Sequence, residues 1–426
     1  MCKWRLSVPY TDNPARSRRC EVALIGVVFI IGLAIRLLSV MFLGGYSAPP
    51  VFDGISYDIL ATNMLSGNGF ALGFATAFRP PGYPFFLALI YVIFGHHYEW
   101  IRVWQAVLGA ISPLLMYASA RQLWSWRVAG LAAMGMAVHP LLIYFTQAIY
   151  PETLAIFLIC LLLVLAISPT GSVPVWRVLL IGLTLGVMSL IRPDTLLLSA
   201  LFASWTAFRY RDRLRSMVAV GLLVVGVLGL VLPWTWRNYR EFGSCVLVST
   251  NGGVNLWAGN NPLAQGGRVD PSPETWLEED PPQDLEGWPS LSEVQSDQRF
   301  RRAALAWIQE HPVEFLSLLP KKLLRALWIN FGAQDKQVEL PWPAILAYVV
   351  FLGASLTGML LSVQRWKHLV PFYLPVVHTM LVSLIFFGST RQSALLVPIQ
   401  VLFAALAVDE VFQGLMKKLE RLRYVA

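Results

Sequence analysis

The stretch VFDGISYD at residues 51–58 and the stretch RPPGYP at residues 79–84 lie in a polar loop between two long apolar segments. Asp53 follows the first apolar segment, and Arg79 precedes the next apolar residues. Ionisable side chains beside hydrocarbon are costly unless they are paired or functional. We therefore treat this loop as the centre around which the other polar residues of the chain are arranged.

The composition indicates a protein whose helices lie in a lipid bilayer. Of 426 residues, 56% are hydrophobic and 14% are charged, with a mean hydropathy of +0.58. A spanning helix needs about 20 apolar residues. The sequence therefore predicts an all-α polytopic membrane protein with about ten transmembrane helices and a small extracytoplasmic segment. The predicted spans are Val22–Leu43, Ile101–Ala120, Val128–Thr146, Glu152–Ile167, Trp176–Ile191, Thr195–Phe208, Ser216–Trp236, Pro343–Val363, Val370–Phe387 and Ser393–Val408.

Lysine and arginine residues predict the orientation of these helices. Basic clusters precede the first span and follow the second, sixth, eighth and last spans, and cytoplasmic loops are enriched in these residues. Both termini are therefore predicted to be cytoplasmic, in a membrane that we expect to be a bacterial inner membrane. Most of the net charge of +8 belongs to these clusters, so it does not indicate nucleic-acid binding.

The apolar segment Tyr83–Gly95 is too short to cross a bilayer, since it has about 13 residues and a span needs about 20. We predict an interfacial or re-entrant helix on the outer face, and a short true span is the alternative. The whole chain then divides into five predicted parts. They are a cytoplasmic tail (1–21), a transmembrane catalytic module (22–236) with its first outer loop (44–100), an extracytoplasmic segment (237–342), C-terminal transmembrane helices (343–409) and a second cytoplasmic tail (410–426).

Two carboxylates on the predicted outer face are candidates for catalysis. Asp53 stands near the start of a predicted short helix, Ile55–Leu65, where it is either a helix cap or a general base. Glu152 follows Pro151 at the start of a predicted span. An acid in that position is an ordinary helix-start residue, and the alternative is a second carboxylate beside Asp53.

Four arginines on the same face are candidates for binding a phosphate, because guanidinium groups match phosphate in a bidentate geometry. Each also has a simpler explanation. Arg79 could reach lipid headgroups, Arg192 could pair locally with Asp194, Arg237 could belong to an aromatic belt, and Arg391 could be a solvated loop charge.

The segment STNGGVNLWAGNNP, residues 249–262, is rich in Asn and Gly. It is predicted to contact a polar ligand, with a tryptophan face for a sugar ring; a turn-rich surface loop is the alternative. Residues Asp270–Ser290 are acidic and rich in proline, which predicts a mobile excursion. The predicted substrate-binding residues of the chain are Tyr57, Asp58, Tyr83, Asn255, Trp257 and Asn260.

The outer motifs together resemble the GT-C superfamily of integral membrane glycosyltransferases. The resemblance is carried by Asp53 with Tyr57, RPPGYP at 79–84, YPE at 150–152, Arg192-Pro and the sequence PWTWRN at 233–238. The branch that it resembles contains protein O-mannosyltransferases and the aminoarabinose transferases that modify lipid A. It implies transfer of a sugar, with inversion, from a polyprenyl-phosphate donor to an extracytoplasmic lipid, glycan or protein acceptor.

The resemblance also implies roles for individual residues. Asp53 would be the base that deprotonates the acceptor hydroxyl, Glu152 would assist it, and Arg79 would contact the lipid phosphate, with a less secure match for Arg192. No cofactor follows from the residues, and a divalent cation held by Asp53 and Glu152 is the cofactor that the resemblance allows. The chain departs from the superfamily in lacking an Asp-x-Asp pair after the first helix, which counts against a metal site of the oligosaccharyltransferase kind.

Two other function classes fit a polar outer pocket. A flippase or transporter of lipid-linked sugars predicts an internal repeat and intramembrane charges in both halves, and neither is clear in this sequence. A non-catalytic envelope assembly protein would use the acids and arginines as caps and headgroup anchors.

Overall fold

The computed structural model describes residues 14–42, 45–168, 173–210, 212–270, 292–327 and 341–425. Within these residues the chain is a bundle of helices, and the β-structure is an isolated bridge between Ala71 and Ala75. The helices are α1 (Pro14–Phe42), α2 (Asp53–Leu65), α3 (Gly82–Phe94), α4 (Tyr98–Arg121), α5 (Trp126–Val138), α6 (Pro140–Gln147), α7 (Glu152–Ala166), α8 (Val175–Ile191), α9 (Thr195–Arg209), α10 (Arg213–Phe242), α11 (Gly252–Gly259), α12 (Glu293–Glu310), α13 (Pro312–Leu327), α14 (Trp342–Ser362), α15 (Trp366–Ile385) and α16 (Thr390–Val425).

The ten predicted apolar segments are helical for most of their length, with Val128–Thr146 divided between α5 and α6, but the number of ten spans is not confirmed. In the described part of the chain, five helical stretches are long and apolar enough to cross a membrane, or six when α5 and α6 count as one bent span. Helices α7, α8 and α9 have 15, 17 and 15 residues, which is below the length of about 20 that a span needs. Helix α3 has 13 residues, and its re-entrant placement stays a prediction.

The bend of 45° between α5 and α6 has a visible cause. Pro140 begins α6 and has no backbone N–H to donate, so carbonyl groups before it lose their helical partners. Arg36 of α1 donates to the carbonyl oxygens of Ala137, at 2.8 Å, and Met136, at 3.3 Å. Backbone groups in hydrocarbon must be satisfied within the protein. The buried arginine therefore stabilises a broken helix, and it belongs to the fold.

Helices α8 and α10 pack closely because glycines face each other across their interface. A Cβ at Gly182 would overlap the backbone of Leu223 of α10, and a Cβ at Gly226 would lie 2.7 Å from the backbone nitrogen of Leu183. Neither helix can move away without losing the packing of its neighbours, since α8 also packs on α7 and α9.

The substitution Gly182→Ala is expected to destabilise the protein by ~1–3 kcal/mol, the usual effect of overpacking a close contact. The matched control is Gly221→Ala in α10, where a Cβ would meet no atom within 4 Å. Thermal unfolding of the two variants in detergent measures the difference. Equal midpoints for the two variants would contradict the close contact.

The segment between α10 and α14 packs on the first outer loop. Glu293 at the start of α12 accepts hydrogen bonds from Thr76 Oγ1, at 2.5 Å, from the Ala77 amide, at 2.8 Å, and from Thr250. Helices α11 and α12 share a small apolar core that includes Trp257. The predicted mobile excursion lies outside the described residues apart from its first residue. The start of α12 therefore fixes the middle of the first outer loop, and α2 and α3 position its ends.

Candidate active site

Five helices begin around one cavity of about 410 Å³. Asp53 is the first residue of α2, Glu152 is the first of α7, Asp194 precedes α9, Asn251 precedes α11, and Thr390 is the first of α16. The N-terminal end of a helix carries a partial positive charge and unpaired N–H groups. Three of these ends have an acid of their own, while the first turns of α11 and α16 contain no acidic residue. The cavity is thus suited to an additional anion.

Asp53 is held between two arginines. Arg79 Nη2 donates to Asp53 Oδ1 and Arg391 Nη1 donates to Asp53 Oδ2, each at 2.6 Å. The residue before α2 is Phe52, and its side chain makes no capping hydrogen bond. Asp53 is 6% exposed, and its carboxylate contacts guanidinium groups. Asp53 is therefore more than a helix cap.

Burial raises the pKa of the Asp53 carboxyl, but the positive charges of Arg391 and Arg79 lower that pKa by more, and the result lies below the ordinary value. A carboxyl with a depressed pKa in the folded state stabilises the protein above its unfolded pKa, about 3.9. That contribution is lost as the pH falls through the folded pKa. Asp53 is therefore ionised throughout the neutral range.

The difference in unfolding midpoint between the wild type and Asp53→Asn is expected to be constant between about pH 8 and pH 5 and to shrink below about pH 4, because the unfolded carboxyl titrates near 3.9. Thermal unfolding in detergent at a series of pH values measures this difference. A wild type that instead gains stability relative to Asp53→Asn as the pH falls through about 6 would show that the folded pKa of Asp53 is raised.

Glu152 is fully buried and is linked to Asp53 through one arginine. Arg391 Nε donates to Glu152 Oε1 at 2.5 Å, and Arg192 Nη1 lies 3.5 Å from the same oxygen. Glu152 Oε2 has no hydrogen-bond partner among the described residues. Arg192 also lies 3.3 Å from Asp194 Oδ2, so the predicted local pair exists within a larger network.

The rigid sequence RPPGYP explains how Arg79 reaches this network. Gly82 begins α3, and a Cβ there would lie 2.6 Å from Ile191 Cγ1 and 2.9 Å from the backbone of Leu190. The start of α3 can therefore approach the end of α8, which is followed directly by Arg192. Arg79 Nε also donates to Ser56 Oγ at 3.0 Å.

Of the predicted residues, the structure brings seven to the cavity or its ion pairs. Tyr57 and Asn255 line the cavity wall, and Tyr57 lies beneath Arg79 with its ring centroid 5.5 Å from the guanidinium carbon. The other five are Asp53, Glu152, Arg79, Arg192 and Arg391.

Asp58 lies in a different cluster, because it is five residues from Asp53 and projects from another side of α2. It accepts hydrogen bonds from Tyr91, at 2.5 Å, and Tyr98, at 3.1 Å, and its Oδ1 lies 2.9 Å from His96 Nε2. Tyr83 is also away from the cavity, where it donates to Gln105 at 2.8 Å. Neither side chain lines the cavity, and their contacts join helices.

Three further predicted residues have structural contacts instead of lining the cavity. Arg237 donates to the carbonyl oxygens of Phe70, at 2.9 Å, and Thr76, at 2.8 Å, and so fixes the first outer loop. Trp257 is buried in the apolar core of the outer segment. Asn260 accepts a hydrogen bond from buried Lys322 at 2.7 Å.

Several cavity residues were missed by the sequence reasoning. Arg268 and Tyr144 line the cavity, and Arg391 lies over the Tyr150 ring at 5.0 Å. Asp194 was noted as the partner of Arg192 without being assigned to the site. Its position in a short polar turn between two apolar segments was a usable signal, whereas nothing in the sequence around Arg268 distinguishes it from a surface residue.

The residues do not fit the divalent cation that the resemblance allows. Asp53 and Glu152 were the predicted ligands, but a guanidinium group occupies the position between their carboxylates. The described parts of the chain contain no group of three or more His, Cys, Asp or Glu side chains that could hold a metal ion. We therefore derive no step through a metal.

Comparison with known proteins gives matches for part of the sequence and for the fold. Residues 78–236 match a family model described as dolichyl-phosphate-mannose-protein mannosyltransferase. The structure superimposes on the Archaeoglobus fulgidus oligosaccharyltransferase crystallised with a tethered acceptor peptide, with a TM-score of 0.56, 13% identity, and coverage of 93% of this chain and 50% of that chain. At this identity the superposition shows that the two proteins share a fold, and the family match covers less than half of this chain.

A further solved structure has a similar fold. It is the A. fulgidus oligosaccharyltransferase AglB in complex with an inhibitory peptide and a dolichol-phosphate, with a TM-score of 0.55, 13% identity, and coverage of 95% of this chain and 52% of that chain. The present chain spans about half the length of these oligosaccharyltransferases. ArnT from Cupriavidus metallidurans bound to undecaprenyl phosphate is 13% identical, with a TM-score of 0.42 and coverage of 91% of this chain and 77% of that chain, a likeness too weak to bear on the site. No curated protein sequence matches this chain significantly.

Proposed function

We propose that this protein is a membrane glycosyltransferase that moves a sugar from a polyprenyl-phosphate donor to a hydroxyl group of an extracytoplasmic acceptor. The observation that carries the proposal is the placement of the Asp53 carboxylate among the guanidinium groups of Arg79, Arg391 and Arg192 in one cavity of a GT-C fold. A base beside several cations is the set of groups that this reaction needs. The family match to a mannosyltransferase model supports the same reaction class.

The reaction can be written with named atoms. Asp53 takes the proton of the acceptor hydroxyl, and the acceptor oxygen attacks the anomeric carbon of the sugar. The bond between that carbon and the phosphate oxygen breaks, and the phosphate leaves with the electron pair. A positioned base contributes roughly 10²–10⁴-fold to such a step. Cations that stabilise the charge developing on the leaving phosphate contribute further. Attack on the side opposite the leaving group inverts the anomeric centre.

The charges of the cavity support an anionic donor. Among the described residues, the cavity is lined by four arginines, Arg79, Arg192, Arg268 and Arg391, and by two carboxylates, Asp53 and Asp194. Two further carboxylates contact these arginines, since Glu152 pairs with Arg192 and Arg391, and Asp270 pairs with Arg268. The arginines that line the cavity suit the phosphodiester between the sugar and the lipid, because guanidinium groups bind phosphate oxygens.

The walls of the cavity support a donor that has both a polar and an apolar part. Phe386, Phe387 and Tyr144 contribute apolar and aromatic surface, while Asn255 and Ser249 contribute hydrogen-bonding groups. We propose that the prenyl chain lies along the aromatic side and that the sugar lies toward the Asn-containing helix α11. Glu152 is too buried to contact an acceptor directly while Arg391 covers it. The proposed compartment is the outer face of a bacterial inner membrane, with both termini cytoplasmic.

Mass spectrometry of membrane lipids from cells with and without this protein tests the proposal. A polyprenyl-phosphate sugar is expected to accumulate when the protein is absent and to disappear when the wild type is restored. A flippase would be favoured if, in cells without the protein, the polyprenyl-phosphate sugar accumulates on one leaflet only and an added enzyme extract still transfers the sugar to the acceptor. Identical lipid profiles would contradict the proposed donor class.

A further inference from the structure

We propose that Arg391, Asp53 and Glu152 form a latch, and that the phosphate of the lipid donor opens it. Arg391 bridges the two carboxylates in the structure. A phosphate that binds Arg391 would release Asp53 to accept the proton of the acceptor hydroxyl. The base would then become available after the donor has bound. This inference rests on the proposed function, and it makes Glu152 a positioning residue that holds Arg391 in place.

The first argument is the occupation of both Asp53 oxygens. Arg79 donates to Oδ1 and Arg391 donates to Oδ2, each at 2.6 Å. A general base needs an oxygen within about 2.6–3.2 Å of the oxygen whose proton it takes. Each Asp53 oxygen keeps a second lone pair, but the side chain is only 8% exposed with both arginines in place, so an acceptor hydroxyl has little access to it. Movement of one of the two arginines would open that access.

The second argument is the unequal exposure of the two arginines. Both have further contacts: Arg79 donates to Ser56 Oγ and lies against the rings of Tyr57 and Phe78, and Arg391 donates to Glu152 and lies over the Tyr150 ring. The side chain of Arg391, in the first turn of α16, is 36% exposed, whereas that of Arg79 is 18% exposed. Arg391 is therefore the arginine that a group entering the cavity reaches first.

The third argument is the geometry of the Arg391 guanidinium. Its Nε donates to Glu152 and its Nη1 donates to Asp53, so each of its two bidentate edges is already engaged by one carboxylate. A phosphate that binds through two N–H groups, as arginine prefers, must displace one of them. The start of α16 favours a phosphate at this place, because helix N-termini present N–H groups and positive potential.

Binding of undecaprenyl phosphate to the purified full chain in nanodiscs tests the latch. Because Asp53 and Glu152 compete with phosphate for Arg391, Asp53→Asn and Glu152→Gln are each expected to bind the lipid about tenfold more tightly than the wild type, which corresponds to ~1.4 kcal/mol. The matched control is Asp194→Asn. It removes a negative charge from the same cavity without a contact to Arg391, and its effect is expected to be clearly smaller.

A second set of variants assigns the effect to Arg391. In an Arg391→Gln background, the tightening by Asp53→Asn and by Glu152→Gln is expected to vanish. If the acid variants still bind the lipid more tightly in that background, the effect depends on Arg79 or Arg192, and the latch is overturned. Thermal unfolding and size-exclusion chromatography show whether Arg391→Gln folds. If it does not, the lipid affinities of Glu152→Gln and Asp194→Asn are compared. Equal affinities would mean that the effect is general electrostatics and would overturn the latch.

The experiment separates the latch from the proposed function. A wild type that binds undecaprenyl phosphate, together with acid variants that bind it equally or more weakly, overturns the latch and leaves the donor class intact. Failure of the wild type and of every variant to bind the lipid phosphate overturns the donor class, and the latch falls with it. Tighter lipid binding by Asp53→Asn and Glu152→Gln, without a similar effect of Asp194→Asn, supports the latch and the donor class.

Discussion

Replacing Asp53 by asparagine is expected to abolish most of the sugar transfer while leaving the protein folded. The amide cannot accept the proton of the acceptor hydroxyl, so the loss should be at least the roughly 10²–10⁴-fold that a positioned base contributes. The asparagine keeps the shape of the side chain and an oxygen that can accept a hydrogen bond from Arg79 or Arg391. The measurement is the amount of polyprenyl-phosphate sugar and of glycosylated acceptor in cells that carry the variant.

The matched control for this experiment is Asp58→Asn. Asp58 lies on the same helix α2, and its carboxylate contacts Tyr91, Tyr98 and His96 outside the cavity. Its replacement is expected to leave the donor lipid at the wild-type level, apart from any change in protein abundance. Retained transfer in Asp53→Asn, at normal abundance, would contradict the assignment of Asp53 as the base. Equal loss in both variants would point to a shared effect on α2.

The transfer assay and the lipid-binding assay of Asp53→Asn report on different steps. Loss of transfer reports the base, whereas tighter binding of undecaprenyl phosphate reports the competition for Arg391. A variant that binds the lipid phosphate more tightly and yet transfers no sugar cannot be explained by unfolding. That combination would connect the proton-accepting role of Asp53 with its ion pair to Arg391, which are separate consequences of one carboxylate.

The sequence could predict the helices and several of the residues that meet at the candidate cavity. Apolar segments separated by polar turns led to the correct helical regions, because hydrophobicity in such runs leaves little choice of structure. The number of spans could not be obtained in the same way. Helices α7 and α9 each have 15 residues, and an apolar composition predicts that a helix is covered by lipid or protein without stating which.

Individual residues of the site were harder to predict, for a physical reason. Arginine, tryptophan and asparagine can contact either a ligand or a neighbouring backbone, and their sequence context does not distinguish the two. Arg237 binds backbone carbonyls of the first loop and Asn260 binds Lys322, although both resembled ligand-binding residues. Arg391 is 338 positions from Asp53, and only tertiary packing shows that they are paired.

The candidate site combines residues of the predicted catalytic module, 22–236, with a residue of the C-terminal helices. Arg391 at the start of α16 bridges Asp53 and Glu152. The matched residues 78–236 contain neither Asp53 nor Arg391. Arg391 was predicted to bind phosphate, and its ion pair with Asp53 is the contact that the sequence does not show.

Replacing Arg391 by glutamine is expected to lower both transfer and stability. Glu152 is fully buried, and Arg391 provides its closest cation, at 2.5 Å. Removing one partner of a buried pair leaves an uncompensated charge, which costs about 3–5 kcal/mol. The remaining partner, Arg192, lies 3.5 Å away and compensates in part. The thermal unfolding midpoint in detergent should therefore fall markedly, and transfer should fall with the loss of a phosphate-binding cation.

The double variant Glu152→Gln/Arg391→Gln separates the two effects. It removes the buried charge together with its partner, so the unfolding midpoint should recover toward the wild type, while transfer should stay low because the phosphate still lacks Arg391. The variant Arg391→Lys supplies a charge without the planar fork that contacts two carboxylates at once, and it should recover stability more than transfer. Full transfer in the double variant would show that Arg391 serves the fold through Glu152 and takes no part in binding the donor phosphate.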